Sequence, residues 1–140
     1  MSLIFLKFIH YLAIFFSGGA LVGSGLIQSI YTKANQVPDL IIAKVLKILG
    51  YIGLAALIVL WITGILLTHL IYGGFSINLA FTIKIICAAI LLILSFLVNI
   101  HVYNSSKNNQ SPNKSIMKIA TMSGRGLILV VLLSAAIAFY

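Results

Sequence analysis

The sequence predicts an all-α integral membrane protein, an antiparallel four-helix bundle formed by one domain over residues 1–140. Of the 140 residues, 62% are hydrophobic and 7% are charged, which leaves too little polar surface for a soluble domain. Four apolar runs each reach the roughly 20 residues that span a bilayer core. Short connections make consecutive helices antiparallel neighbours. The predicted spans are about 3–30, 46–72, 80–103 and 117–139.

The distribution of basic residues predicts the topology. The chain has nine Lys and Arg residues against one acid, Asp39. Most of these basic residues lie in the first loop, 31–47, and the third loop, 104–118, so we interpret them as a topology signal and expect no nucleic acid partner. The positive-inside rule places both loops in the cytoplasm and both termini outside, as in a bacterial inner membrane protein. Asp39 is expected to cap a helix leading into the second span.

The polar residues of the first span share one narrow face when placed at 100° per residue. An unpartnered polar side chain in hydrocarbon costs several kcal/mol, so this face is expected to meet neighbouring helices or a bound group. Gly19 and Gly23 lie beside it, at a spacing that lets another backbone or a flat ligand approach closely. The face consists of His10, Ser17, Leu21, Ser24 and Gln28.

Three polar residues fall toward the outer end of the predicted bundle: His10, His69 and Lys84. Imidazole is a strong axial ligand of haem iron, and inward histidines on facing helices of a four-helix bundle commonly hold a porphyrin. We therefore predict a haem b site with His10 as a metal ligand and His69 or Lys84 as the second ligand. Lys84 alternatively pairs with a haem propionate, or extends to the membrane interface without a chemical role.

A second set of polar residues falls toward the cytoplasmic end. Arg125 either extends to the interface or meets Asn99 and Gln28 in an inner polar cluster. If the cofactor lay at this end, His101 and Arg125 would serve as its ligand and propionate clamp. The chain has no pair of acids for acid–base catalysis and no zinc-binding spacing, which excludes hydrolytic and zinc chemistry. The set comprises Gln28, Tyr31, Tyr51, Asn99, His101 and Arg125.

Three short segments resemble the HemJ-type protoporphyrinogen oxidases and the CopD-type small membrane proteins. They are Leu6–His10 before a glycine-rich run, Trp61–Leu67 and Phe81–Ile86. The resemblance implies a haem b-binding four-helix protein that oxidises protoporphyrinogen IX. It also implies functional roles for a first-span histidine and a third-span lysine, matched here by His10 and Lys84.

The chain departs from the HemJ pattern at two places. Ser17 and Leu26 stand near the positions of a tryptophan and an arginine, and Met122–Arg125 stands where an Asn-Glu pair leads into the last span. The absence of these polar groups argues against oxidase activity more than it argues against haem binding. The resemblance is equally compatible with a haem-binding relative that transfers electrons or serves as a subunit. Whether the chain is an enzyme therefore stays open.

Two functions follow as hypotheses. In the first, a haem held by His10, His69, Lys84, Gly19 and Gly23 takes part in membrane redox chemistry, with Lys84 as a catalytic residue. The reaction is protoporphyrinogen IX oxidation or electron transfer to quinone. In the second, the chain is a non-catalytic accessory subunit of a respiratory or transport complex, or a homo-oligomer, that packs through its glycine face. A transporter is disfavoured because four spans without an internal repeat are few for a carrier.

Overall fold

Four long helices account for most of the chain in a computed structural model, which describes residues 2–74, 78–110 and 113–138. All four helices are long and apolar enough to cross a membrane. This confirms the predicted all-α, four-span architecture. The helices are α1 (Leu3–Lys33), α2 (Leu40–Tyr72), α3 (Leu79–Lys107) and α4 (Lys114–Ala138).

The helix starts show where the predicted bounds need correction. Asp39 is the N-cap of α2, where its Oδ1 accepts a hydrogen bond from the backbone N–H of Ile42 at 2.9 Å. The predicted cap is confirmed. The helix that Asp39 caps runs without a break into the second span, so α2 begins at Leu40 rather than near residue 46. Asn78 caps α3 in the same way, accepting from the N–H of Phe81 at 2.8 Å. The predicted end of the fourth span at 139 lies outside the described residues.

The helices pack as a ring in which consecutive helices are in contact and α4 returns to contact α1. The most extensive contacts join α1 to α2 and α3 to α4, and the α1–α4 contact is the least extensive. Among the described residues, neither diagonal pair of helices is in contact. Small residues allow close approach: a Cβ on Gly53 would lie 3.4 Å from the Cβ of Ala20. Large apolar side chains such as Ile4 and Leu40 point outward, as expected when lipid is the solvent.

The polar face of α1 points inward, but its serines do not need the neighbouring helices. Ser17 is buried and its hydroxyl donates to the carbonyl of Ile14 at 3.2 Å, and Ser24 donates to the carbonyl of Leu21 at 3.1 Å. A serine hydroxyl on a helix reaches the carbonyl of the preceding turn and so satisfies itself locally. The expectation of partners across the bundle therefore holds only for His10 and Gln28 on this face.

The two ends of the bundle differ in charge. The end that carries the α1–α2 and α3–α4 loops, here called the lysine-rich end, has a lysine in the last turn of both α1 and α3. The opposite end, here called the histidine end, contains His10 and Lys84. The lysines of the lysine-rich end are Lys33, Lys44, Lys47, Lys107, Lys114 and Lys118.

Candidate functional site

A cavity of about 170 Å³ lies at the histidine end, between α1, α2 and α3. Its walls are mostly apolar, with contributions from Leu60 and Ile85. Two nitrogen-bearing side chains that the sequence singled out, His10 and Lys84, both line it. The fold thus brings together a residue from the first span and one from the third, although their helices are diagonal in the ring.

The imidazole of His10 is held by α2. Its Nδ1 lies 2.8 Å from the hydroxyl oxygen of Thr63, and that oxygen also lies 2.8 Å from the carbonyl oxygen of Val59. A threonine hydroxyl has one proton, and donating it to the carbonyl leaves the oxygen to accept from His10. In this arrangement Nδ1 carries the ring proton and Nε2 carries the lone pair, a form in which imidazole binds a metal.

The second nitrogen of His10 is available for a ligand. Within the described parts of the chain, no hydrogen bond to Nε2 occurs. Histidines that bind metals usually donate their other ring N–H to a fixed acceptor, which sets the tautomer and the orientation of the ring. Thr63 supplies such an acceptor from a buried position on α2.

Lys84 places a positive charge on the wall of the same cavity. Its Nζ lies 5.9 Å from the centroid of the Phe81 ring, within the range of a cation–π contact. Phe81 is itself 3% exposed, so the aromatic ring belongs to the interior. A ligand in this cavity meets an imidazole, an ammonium and apolar walls, a combination suited to an apolar molecule with a negatively charged group.

Two residues of the second span shape the cavity. A Cβ added to Gly64 would lie 3.5 Å from Cε1 of His10, so the glycine leaves space next to the imidazole ring. The indole N–H of Trp61 donates to the carbonyl of Ala88 at 3.3 Å, which ties α2 to α3 along the cavity wall. Thr63 and Gly64 were missed by the sequence analysis; the signal was a hydroxyl and a glycine side by side in an apolar run.

Three residues predicted for the haem site lie elsewhere. His69 is on the exposed face of α2 and does not line the cavity, because its neighbour Thr68 holds the inward position. A Cβ on Gly19 or Gly23 would meet nothing within 4 Å, and Gly19 lies about 13 Å along α1 from His10 at 1.5 Å per residue. The structure therefore presents one histidine to the cavity and does not form the bis-histidine arrangement.

The residues of the predicted inner polar cluster lie at two different helix interfaces. Between α1 and α4, the Thr121 hydroxyl lies 3.2 Å from Oε1 of Gln28, and the guanidinium of Arg125 packs against Gly25. Between α2 and α3, the amide of Asn99 lies against Gly50 and donates to its own helix.

His101 is separate from both pairs. Its Nε2 accepts from the N–H of Asn113 at 3.1 Å and links the end of α3 to the start of α4. The structure does not bring His101 and Arg125 together as ligand and clamp.

The histidine end presents one imidazole to the cavity. Within the described residues, no group of three or more His, Cys, Asp or Glu side chains is present, whereas haem iron needs one or two axial ligands from the protein. The volume is the constraint, because ligand pockets typically measure about 300–1,000 Å³. The cavity, at about 170 Å³, is smaller than this range.

Comparison with protein-family models, curated proteins and solved structures gives no match. The resemblance to the HemJ-type and CopD-type proteins therefore stays a prediction from the sequence.

Proposed function

We propose that the chain binds haem b in the cavity at the histidine end and takes part in membrane redox chemistry. The observation that supports this most directly is the hydrogen bond between His10 and Thr63. With Nδ1 donating to Thr63, Nε2 would serve as the axial ligand, in a cavity that His10 and Lys84 both line. The proposal takes His10 alone as the ligand from the described residues, since His69 lies on an exposed face.

Four residues have a defined task in this proposal. His10 binds the iron, and Thr63 fixes its ring. Lys84 binds a carboxylate, either a propionate of the cofactor or an acidic group of a porphyrin substrate, through a charge-assisted hydrogen bond. Trp61 closes the wall toward α3.

The walls influence the redox properties of the site by excluding water. Haem supplies one-electron transfer, here between a reductant such as protoporphyrinogen IX and the quinone pool. Axial ligand identity and burial are the means by which a protein tunes the haem potential. In this chain these are His10 and the apolar residues around it, Leu60 and Ile85 among them.

Difference spectroscopy tests the proposal. The full chain is expressed with haem supplied, purified, and recorded as reduced-minus-oxidised spectra. Wild type is expected to show a haem α-band that is lost in His10→Ala. His69→Ala and His101→Ala are the matched controls, because they remove imidazoles that do not line the cavity, and both should keep the band. A colourless wild type, or a band that survives His10→Ala, contradicts haem binding at this site.

The accessory-subunit hypothesis has its own support in the glycine face of α1. Cβ atoms on Gly18, Gly19 and Gly23 would each meet open space, so another transmembrane helix can approach this backbone closely. Purification from native membranes tests it. The accessory role is favoured if the chain purifies without haem and with a stoichiometric partner, and if Gly19→Leu loses that partner. A coloured chain that purifies alone opposes it.

A further inference from the structure

Arg125 has a polar atom that the bundle leaves unsatisfied. Its Nε is buried and has no hydrogen-bond partner among the described residues. The guanidinium fits against α1 because Gly25 has no side chain, and a Cβ there would collide with the guanidinium and with the methyl of Thr121. A buried charged donor without an acceptor is costly in a bilayer. The position therefore calls for an acceptor from outside the described residues.

The chain supplies no free carboxylate for this role. Its one acidic side chain is Asp39, which lies at the start of α2, where its Oδ1 accepts from the N–H of Ile42. Since Arg125 Nε has no partner among the described residues, a negative group from another molecule can complement it.

Arg125 is the innermost of a row of basic side chains. At 100° per residue, Lys114, Lys118, Thr121 and Arg125 lie within about 60° of one another on α4. We call this row the basic face of α4. Thr121 and Arg125 contact α1, and Lys33 in the last turn of α1 adds a further charge at the same end of the bundle. The two lysines of the basic face are exposed, so an anion can enter along the row from the surface.

The least extensive helix contact of the ring is the one between α1 and α4. Side chains on a helix lean toward its N-terminus, which directs Arg125 along α4 toward the lysine-rich end. This is the end at which the headgroups of one leaflet lie.

From these observations we propose that the α1–α4 seam at the lysine-rich end binds a phosphate group, carried by the headgroup of an anionic phospholipid. The planar guanidinium matches the geometry of phosphate oxygens. Basic pockets between transmembrane helices are known to bind acidic lipid headgroups. The site is independent of the haem proposal, since it lies at the opposite end of the bundle and shares no residue with the cavity.

Native mass spectrometry of the full chain released from nanodiscs tests this site. The nanodiscs contain equal amounts of phosphatidylglycerol and phosphatidylcholine, and the readout is the ratio of the two lipids retained on the protein. Wild type is expected to retain phosphatidylglycerol preferentially. Arg125→Gln should lower the ratio roughly tenfold, the size of effect expected for a lost hydrogen bond to a charged group.

The matched control is Lys107→Gln. Lys107 lies at the same end of the bundle on α3, away from the seam, so this substitution removes the same charge without touching the site. Its ratio should change by less than about threefold, as for an exposed charge. If Arg125→Gln does not give the helical content and size-exclusion peak of the folded chain, Lys118→Gln replaces it, because Lys118 is exposed. This variant should lower the ratio further than Lys107→Gln does, because only Lys118 lies on the basic face of α4.

A second measurement identifies the source of the phosphate. The thermal midpoint is compared in phosphatidylcholine nanodiscs in sodium phosphate and in sodium chloride at equal ionic strength. A phosphate-dependent rise that requires Arg125, without retention of phosphatidylglycerol, overturns the lipid assignment in favour of soluble phosphate. Equal losses in Arg125→Gln and Lys107→Gln, or no lipid preference in wild type together with no phosphate-dependent rise, overturn the proposal altogether.

Discussion

The histidine end and the lysine-rich end both place a basic nitrogen inside a bundle that has almost no acids, and they do so differently. At the histidine end, a hydroxyl on the neighbouring helix orients His10 beside a cavity. At the lysine-rich end, Arg125 is packed into a notch at Gly25, and its Nε has no partner among the described residues. One nitrogen lies beside a cavity within the bundle, whereas the other is packed at the seam between α1 and α4.

The contrast shows how a chain with one carboxylate accommodates charge in a membrane. Buried cations are normally paired with acids or with backbone carbonyls. The only acid here, Asp39, lies in the loop before α2 and caps that helix. In the two proposals the negative groups come from outside the chain, as an apolar anionic ligand at the histidine end and as a lipid headgroup at the lysine-rich end.

The largest effect is expected from Thr63→Val at the histidine end. Valine keeps the shape of threonine but cannot accept the hydrogen bond from His10, so the ring loses its fixed tautomer and orientation. Loss of such an outer partner typically costs about 10–100-fold in metal affinity. We expect this loss of haem affinity in a haem titration, with recovery in Thr63→Ser. Equal haem affinity in Thr63→Val and wild type would show that Thr63 does not position the ligand.

The positioning role of Thr63 can also be measured without haem. In a His69→Gln, His101→Gln background, His10 is the only histidine, and ¹⁵N-NMR of labelled imidazole reports its tautomer. The ring is expected as the Nδ1–H form, changing to a mixture in Thr63→Val. A pure Nε2–H form would contradict the orientation inferred from the hydrogen bond.

The next effect concerns two glycines of α1 that the sequence does not distinguish. Gly25→Ala should destabilise the bundle by about 1–3 kcal/mol, as overpacking does, because the new Cβ meets the fixed methyl of Thr121 as well as Arg125. Gly23→Ala is the matched control, and its Cβ meets nothing, so it should change stability by less than about 1 kcal/mol. Unfolding by SDS titration measures both. Similar losses in the two variants would refute the notch at Gly25.

The glycines also show which features the sequence could predict. Run length and hydropathy predicted all four helices, and the residue type predicted the cap at Asp39, because these properties are local. The sequence could not predict that Gly25 meets Arg125 while Gly23 faces open space, because that depends on which helix packs on which face of α1. For the same reason it placed His69 at the site, although the rotation of α2 turns Thr68 inward instead.

Ser17 and Ser24 illustrate a second limit of prediction from the sequence. The polar face of α1 predicted partners across the bundle for Ser17 and Ser24, but their hydroxyls bond to the preceding turn. A hydroxyl on a helix always has this local option, whereas an imidazole or a glutamine amide does not. Side-chain type, rather than burial alone, therefore decides which polar residues report on a neighbouring helix.

A smaller effect separates the two possible roles of Asp39 at the lysine-rich end. As an N-cap, its replacement by alanine should cost about 1 kcal/mol, and Asp39→Asn should retain most of the stability, because asparagine caps equally well. If the carboxylate instead balanced the basic residues of that end, the neutral asparagine would behave like alanine. SDS-titration unfolding of the two variants decides between these roles. Near-equal losses of stability would show that Asp39 acts through its charge, and would contradict the inference that Arg125 has no acidic partner in the chain.

The smallest structural effect is expected at Gly64, where the haem hypothesis and the accessory-subunit hypothesis can be separated. A Cβ at this position lies at an ordinary contact distance of 3.5 Å from the His10 ring, so Gly64→Ala should change stability by less than about 1 kcal/mol. Gly64→Leu, in contrast, fills the space beside the imidazole. In the haem hypothesis it should abolish the α-band while the chain stays helical. In the accessory hypothesis, association through the distant glycine face should be unaffected, because Gly19 and Gly23 lie on α1 away from the cavity. If Gly64→Leu keeps its haem spectrum, the cofactor lies outside the cavity and His10 has only a packing role.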